Sequence, residues 1–141
     1  MPELPEVETI VRGLKKNIIG RKIKSIDVLG EKLFVGDKNT IINQKIVSVE
    51  RSGKTIIILF ENNNCLQIHL KMTGQLILLP KNQKFKIKNS ITNVMAGGHP
   101  DKKYNQPLPH KYTHIIINFA DGTKLYYNDL RKFGYFKIIN K

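Results

Sequence analysis

The chain has 141 residues, 40% of them hydrophobic, and carries 24 Lys and Arg against 11 Asp and Glu, a formal net charge of +13. This length and apolar fraction fit one globular domain and exclude wholesale disorder, and the apolar runs are too short for a membrane span. The acidic start is unlike a secretory signal. The single cysteine, Cys65, excludes an intramolecular disulfide and a four-cysteine zinc site in this sequence. We therefore expect a soluble, cytoplasmic protein.

The first predicted element is a helix that begins at Pro5 and stops at Gly20. Acidic side chains fall in its first turn, where the helix dipole favours anions, and basic side chains lie toward its end. Val7, Ile10, Val11 and Leu14 repeat at the spacing of a buried helical stripe.

After the helix the apolar period changes to short segments separated by turn residues. The predicted strands are Ile23–Leu29, Lys32–Val35, Ile46–Arg51, Thr55–Phe60, Leu66–Leu70, Gln75–Leu79, Ile115–Phe119, Lys124–Tyr127 and Tyr135–Ile139. Glu61–Asn64 and Asp121-Gly122 are typical of hairpin turns. Such spacing favours an antiparallel sandwich or barrel, and we predict a mostly β, α+β fold: a two-sheet antiparallel β-sandwich with the N-terminal helix packed on it.

Residues 81–111 do not fit the strand pattern. They hold seven Lys and one acidic residue, so they carry +6 of the net charge. A loop of about 30 residues in a compact domain tends to be functional or mobile, and a solvated insertion without a specific role is the alternative.

The overall positive charge points to a polyanionic partner, most simply DNA or RNA. The alternative is a basic protein from an AT-rich genome, since the chain is rich in Lys, Asn and Ile. Charge alone does not separate these two interpretations.

The N-terminus carries the sharpest chemical feature. Removal of Met1 would expose Pro2 as a secondary amine with a pKa near 8, a usable nucleophile toward an aldehyde-like carbon. Glu3 and Glu6 would supply carboxyl groups nearby for proton transfer. Ordinary helix capping by Pro and Glu is the alternative interpretation.

The string Met1-Pro2-Glu3-Leu4-Pro5-Glu6-Val7-Glu8-Thr9 resembles the N-terminus of formamidopyrimidine-DNA glycosylases, bacterial base-excision enzymes that act on oxidised purines. Three further stretches resemble that family in the same order: Ser52-Gly53-Lys54, His69-Leu70-Lys71-Met72-Thr73-Gly74 and Asp129-Leu130-Arg131-Lys132-Phe133-Gly134. Lys111-Tyr112-Thr113-His114 is a looser match, with Tyr112 in place of a family histidine. Together the matches extend over nearly the whole chain.

The resemblance implies a catalytic role for Pro2, Glu3, Glu6 and Lys54. Pro2 would attack the sugar C1′ and form a Schiff base that permits β- and δ-elimination, while Glu3 would shuttle protons during opening of the deoxyribose. Glu6 matches a second functional glutamate, with helix capping as its rival role. Lys54 would contact the phosphate or the lesion, unless it is a solvated turn lysine.

The resemblance further implies DNA contacts by His69, His114, Met72, Arg131, Lys132 and Phe133. His69 would bind phosphate, as opposed to being an ordinary strand histidine. Met72, Arg131 and Phe133 would fill the gap left by a flipped nucleotide. Core packing is the usual fate of Met and Phe, but the adjoining Thr73-Gly74 and Gly134 are typical of exposed turns. Lys132 keeps the charge of a family arginine without its bidentate geometry.

Two departures from the family stand out. Family members continue into a C-terminal domain with a helix–two-turn–helix element and a four-cysteine zinc finger. We expect that domain to be absent from residues 1–141, and therefore expect no cofactor or metal site in this chain. The segment 81–111 is much shorter in the family, and its lysines could add phosphate contacts.

The sequence therefore predicts the N-terminal catalytic domain of a bifunctional DNA glycosylase and AP lyase. Its partner would be damaged double-stranded DNA, bound by a monomer without any membrane association. The expected preference for oxidised purines rests on Glu3-Leu4-Pro5-Glu6, because the related endonuclease VIII branch typically has Gly in place of this Leu.

Two alternatives remain open. One is a DNA-binding module of the same fold that is catalytically weak or silent. The other is a basic single-strand binder, which requires exposed stacking aromatics on its strands. The tyrosines available for that role are Tyr104, Tyr112, Tyr126, Tyr127 and Tyr135.

Overall fold

Residues 4–80, 95–98 and 108–140 of the computed structural model are described here, residues 95–98 as backbone alone. The first described element is helix α1, Leu4–Ile18, and its apolar stripe is buried as the spacing predicts. The helix ends before Gly20, whose φ of +89° few side chains tolerate. The N–H of Gly20 donates to the carbonyl of Ile46 at 2.8 Å, which ties the helix end to the start of a strand.

The described residues form ten strands in two five-stranded sheets. The strands are β1 (Ile23–Val28), β2 (Phe34–Val35), β3 (Ile46–Ser52), β4 (Thr55–Phe60), β5 (Cys65–His69), β6 (Gly74–Leu79), β7 (Met95–Gly98), β8 (Thr113–Phe119), β9 (Lys124–Asp129) and β10 (Tyr135–Ile139). Sheet I has the order β1-β8-β9-β6-β7 and sheet II the order β2-β10-β5-β4-β3. Every pairing is antiparallel except that of β2 with β10.

The helix closes one open side of the sandwich. It lies along β3 and β7, which are edge strands of sheets II and I. Its apolar stripe joins the core between the inner faces of the sheets, where Tyr127 and Phe136 pack with ring centroids 4.9 Å apart. The predicted sandwich with a packed N-terminal helix is therefore confirmed.

A second, smaller apolar cluster lies on the outer face of sheet I. It consists of Ile77, Leu79, Ile116 and Tyr126, with Leu108 packed against it. Strands β6, β8 and β9 are therefore buried on both faces along much of their length, which explains the apolar runs 76–79, 115–117 and 125–127.

Two sequence predictions were wrong in detail. Residues 81–111 contain strand β7, which pairs with β6 although its Met-Ala-Gly-Gly sequence has no β-branched residue. Its pairing comes from the neighbouring strand and not from local propensity. The predicted strand Lys32–Val35 is mostly a 3-10 turn over Glu31–Leu33, and only Phe34–Val35 extends beside β10.

Both predicted hairpin turns are present. Asn63 adopts a φ of +71° between β4 and β5, and Gly122 a φ of +94° between β8 and β9. No helix in the described ranges has the length and apolar character needed to cross a bilayer.

Packing of the helix against both sheet edges predicts that Leu14→Ala lowers the free energy of unfolding by about 3 kcal/mol. Leu14 is fully buried, so its removal leaves a cavity. Urea denaturation followed by circular dichroism measures the change. The matched control is Lys15→Ala on the exposed face of the same helix, expected within about 0.5 kcal/mol of the parent; equal effects of the two would contradict this packing.

Candidate nucleic-acid interface

Elements distant in sequence meet at one end of the sandwich. The strand registers bring together Ser52 with Thr55, Thr55 with His69, His69 with Tyr135, and Gly74 with Asp129. The turns between β3 and β4, between β5 and β6, and between β9 and β10 therefore share this end. These three turns carry most of the residues that the sequence singles out.

The N-terminal half of α1 reaches the same end through an ion pair. The Nε of Arg51 on β3 lies 2.9 Å from a carboxylate oxygen of Glu8, and its Nη1 donates to the carbonyl of Gly53 at 3.0 Å. The hydrogen bond from Arg51 is the main cause that lowers the pKa of Glu8. One guanidinium thus connects the helix to the turn that carries Lys54.

The buried carboxylate of Asp129 organises the turns around it. It accepts hydrogen bonds from the hydroxyls of Thr73 and Tyr127, from the backbone N–H of Lys132 at 3.0 Å and from that of Gly134 at 2.9 Å. Asp129 itself has no exposed surface. Four donors on one carboxylate hold the loop after β9 in a single path.

Thr73 connects the turn before β6 with the loop after β9. Its hydroxyl donates to Asp129 and accepts from the backbone N–H of Arg131 at 3.1 Å. The turn that carries Met72 is therefore bonded to the loop that carries Arg131 and Phe133.

Two glycines at this junction leave no room for a side chain. A Cβ on Gly134 would lie 2.2 Å from the hydroxyl oxygen of Tyr127 and 2.6 Å from the carbonyl oxygen of His69. A Cβ on Gly74 would lie 2.6 Å from the carbonyl oxygen of Leu70. Close approach of the backbone, and not an unusual φ, requires glycine at both positions.

The candidate inserting residues project from the junction. Met72 is 41% exposed and Phe133 55% exposed, and Arg131 and Lys132 are exposed as well. The turn-like, exposed setting predicted for Met72 and Phe133 is therefore present, and core packing is excluded for both. Their contact with DNA stays a prediction.

His69 lies at the centre of this end of sheet II. Its Nδ1 accepts the backbone N–H of Lys71 at 3.1 Å, so the proton of the neutral ring is on Nε2. Partial burial lowers the pKa of His69, and the charges of Lys71 and Lys54 lower it further. A neutral ring with an Nε2–H donor is able to bind a phosphate oxygen.

His114 lies inside the fold. It is 6% exposed, and its Nε2 is 2.8 Å from the carbonyl oxygen of Asp129. This position favours support of the loop after β9 over the direct DNA contact that the sequence suggested. Burial depends on sheet packing, which a single histidine in a β segment does not reveal.

Pro2 and Glu3 lie outside the described residues. Glu6 is exposed in the first turn of α1, at the end of the sandwich where the turns meet. Within the described ranges, no three His, Cys, Asp or Glu side chains are grouped closely enough to hold a metal ion.

Sequence reasoning missed the functional importance of Asp129, Thr73 and Arg51. In the sequence, Asp129 and Thr73 stand inside motifs, and Arg51 ends a predicted strand. A polar side chain inside an apolar strand next to a turn was the available signal, because buried polar groups require partners.

Two of the tyrosines considered for base stacking are in the interior. Tyr127 has no exposed surface and Tyr126 only 6%. Tyr112 and Tyr135 are half-buried, and Tyr104 lies outside the described residues. The described strands therefore do not carry the exposed aromatic series that a general single-strand binder requires.

Comparison with known proteins places the fold in the class of DNA glycosylase domains. Lactococcus lactis Fpg in complex with DNA containing an abasic site is 29% identical, with a TM-score of 0.74 over 97% of this chain and 43% of that one. The same enzyme with DNA containing N7-benzyl-Fapy-dG is 30% identical, with a TM-score of 0.74 over 98% of this chain and 44% of that one.

The family model described as the formamidopyrimidine-DNA glycosylase N-terminal domain matches residues 1–136, and the chain belongs to this family. The formamidopyrimidine-DNA glycosylase of Ligilactobacillus salivarius is 34% identical over 99% of this chain and 43% of its own length. That of Rickettsia bellii is 35% identical over 95% of this chain and 42% of its own length. The chain thus spans less than half the length of these relatives.

The bonding around Asp129 predicts that Asp129→Asn destabilises the fold by about 3 kcal/mol. An amide has only one acceptor oxygen, so its nitrogen would face two of the four buried donors. Thermal or urea unfolding measures the loss, and Asp27→Asn on the exposed part of β1 is the matched control. A loss no larger than that of the control would show that the carboxylate does not hold these turns.

Proposed function

We propose that the chain is the catalytic domain of a bifunctional DNA glycosylase and AP lyase that removes oxidised purines, such as 8-oxoguanine and formamidopyrimidines, from double-stranded DNA. The observation that carries this proposal is the meeting of four separate motifs at one end of the sandwich. Family membership and the DNA-bound structures of relatives support it.

The proposed chemistry begins at the N-terminus. With Met1 removed, the Pro2 amine attacks C1′ of the damaged nucleotide, and the bond from C1′ to the base breaks. The sugar ring then opens: the C1′–O4′ bond breaks, O4′ takes a proton, and the Pro2 nitrogen and C1′ form an iminium. Loss of the acidified 2′ proton expels the 3′ phosphate by β-elimination, and loss of the 4′ proton then expels the 5′ phosphate by δ-elimination. Glu3 transfers protons during opening of the deoxyribose ring, and Glu6 supplies a second carboxyl group one turn into the helix.

Phosphate binding falls to Lys54 and His69. Lys54 follows Gly53 in the turn between β3 and β4, and His69 pairs with Thr55 next to it. One ammonium and one imidazole N–H at this point fix the register of the DNA backbone without reading its sequence.

Insertion into the duplex falls to Met72, Arg131 and Phe133. A reaction at C1′ requires the nucleotide to leave the stack, which costs a few kcal/mol. The thioether, guanidinium and phenyl ring fill the gap and meet the opposite base. The bonds of Thr73 and Asp129 keep the three side chains on one rigid support, and Lys132 adds positive charge beside them.

The proposed function also concerns the cellular location, the oligomeric state and the segment 81–111. The bacterial origin of the relatives supports a cytoplasmic location, where the protein acts as a monomer on the nucleoid. The seven lysines of residues 81–111 extend the contact with phosphates, and most of that segment lies outside the described residues.

Borohydride trapping tests the enzyme function. The full chain is incubated with a duplex containing an abasic site and sodium borohydride, and we expect a covalent protein–DNA adduct because hydride reduces the Schiff base. Pro2→Gly should abolish nearly all of the adduct, and so should retention of Met1, which blocks the amine. Mass spectrometry of the N-terminus establishes whether Met1 has been removed.

An absence of adduct from protein with a free Pro2 amine, at high concentration and low salt, would contradict the enzyme function. It would instead favour the catalytically silent DNA-binding module.

Because the side chains of Met72 and Phe133 are exposed, we predict that Met72→Ala and Phe133→Ala each weaken binding to a duplex with an abasic site about tenfold. The reason is that each variant removes surface that replaces lost base stacking. Fluorescence anisotropy measures the affinity. Val47→Ala is the control, because Val47 is 45% exposed at the opposite end of the sandwich; a similar loss from that variant would argue against insertion.

A further inference from the structure

Lys71 has a backbone conformation that side chains rarely adopt. It lies in the turn between β5 and β6, directly before Met72, with a φ of +53°. A non-glycine residue in the left-handed region is energetically costly, and such positions concentrate where the chain binds a ligand or reacts. A lysine with an exposed side chain therefore occupies a position at which glycine would remove the conformational cost of the left-handed backbone.

Two interactions hold Lys71 beside His69. The backbone N–H of Lys71 donates to Nδ1 of His69 at 3.1 Å, and the Lys71 ammonium lies 5.8 Å from the ring centroid of Tyr135. The ring of Tyr135 is in turn 5.8 Å from that of His69. Lys71 therefore extends over the same end of sheet II that presents His69.

Lys54 approaches this point from the other side of His69. It precedes Thr55, and Thr55 and Tyr135 are the two cross-strand neighbours of His69. The charges of Lys71 and Lys54 add to the effect of partial burial in lowering the pKa of His69. Lys54, His69 and Lys71 form what we call the cationic patch.

The donors of the cationic patch suit one phosphodiester. The bond from Lys71 to Nδ1 leaves the ring proton on Nε2, so the patch combines one imidazole N–H with the ammonium groups of two lysines. Lysine binds phosphate as a compact point charge, and the Tyr135 ring favours a cation near its face.

We propose that Lys71 is a DNA-phosphate ligand that completes, with His69 and Lys54, a three-donor site for one backbone phosphate beside Met72. The proposal rests on the proposed function for the location of the DNA. It assigns Lys71 two effects: its side chain neutralises a phosphate, and its backbone N–H sets the ring of His69 to donate to the same phosphate.

The test measures affinity of the full chain for an undamaged duplex and for a duplex with a tetrahydrofuran abasic-site analogue, across a series of salt concentrations. Lys71→Gln should weaken binding to both duplexes about five- to tenfold at low salt. It should also reduce the slope of log affinity against log salt by about 0.9, the contribution of one phosphate. Lys124→Gln, at the opposite end of the sandwich on β9, is the matched control and should change neither quantity.

A second variant separates binding from folding. Lys71→Gly removes the charge and tolerates the left-handed conformation, so its melting temperature should equal or exceed that of the parent while its affinity falls like that of Lys71→Gln. Parental affinity and salt slope in either Lys71 variant would overturn the proposal. A loss restricted to the abasic duplex would also overturn it, because a phosphate contact acts on both.

Borohydride trapping distinguishes this proposal from the proposed function. The control Lys124→Gln should trap an abasic duplex at the parental protein concentration, whereas both Lys71 variants should need about five- to tenfold more protein for half-maximal trapping because they bind the duplex more weakly. Failure of the parent itself to trap would overturn the enzyme function, and the comparison of affinities on undamaged duplex would still decide the role of Lys71.

Discussion

The carboxylate of Asp129 is the group on which the candidate interface depends. It is fully buried at the end of β9 and accepts hydrogen bonds from Thr73 before β6, from Tyr127 on β9, and from Lys132 and Gly134 in the loop after β9. A buried carboxylate is stable only when its oxygens have donors, and here the donors are the backbone and side chains of the turns themselves. These hydrogen bonds offset the cost of burying the charge, and they also fix the turns that carry Met72 and Phe133.

Because hydrogen bonds fix the turns that carry Met72 and Phe133, these turns keep their conformation although both apolar side chains are exposed to water. Met72 and Phe133 stay exposed because their neighbours, and not they themselves, make the packing and hydrogen-bonding contacts. The ion pair of Glu8 with Arg51 likewise connects the N-terminal half of the helix to the turn that carries Lys54. For the proposed insertion into DNA, a backbone that is already fixed reduces the conformational entropy lost on binding and leaves more of the contact energy for unstacking the duplex.

The positive charge of this protein acts both through the net charge of the chain and through cations at particular positions. The net charge of +13 provides long-range attraction to any polyanion, and +6 of it lies in residues 81–111. A few cations are placed locally: Lys54, Lys71, Arg131 and Lys132 surround the end where the motifs meet, and in the proposed function they contact DNA. Two of these, Lys71 and Lys132, have φ values of +53° and +59°, and each precedes an exposed apolar tip. Each of these left-handed positions thus places a cation directly before an exposed apolar side chain.

The sequence by itself determined the buried stripe of α1, most strands and both hairpin turns, because these follow from local periodicity and turn chemistry. It also pointed to the exposure of Met72 and Phe133 through their turn neighbours. It did not predict β7, the interior position of His114 or the bond between Thr73 and Asp129, which are 56 residues apart. Those features depend on strand register and on how two sheets face each other. Only the tertiary structure decided them, because a hydrogen bond across the fold leaves no periodic trace in the chain.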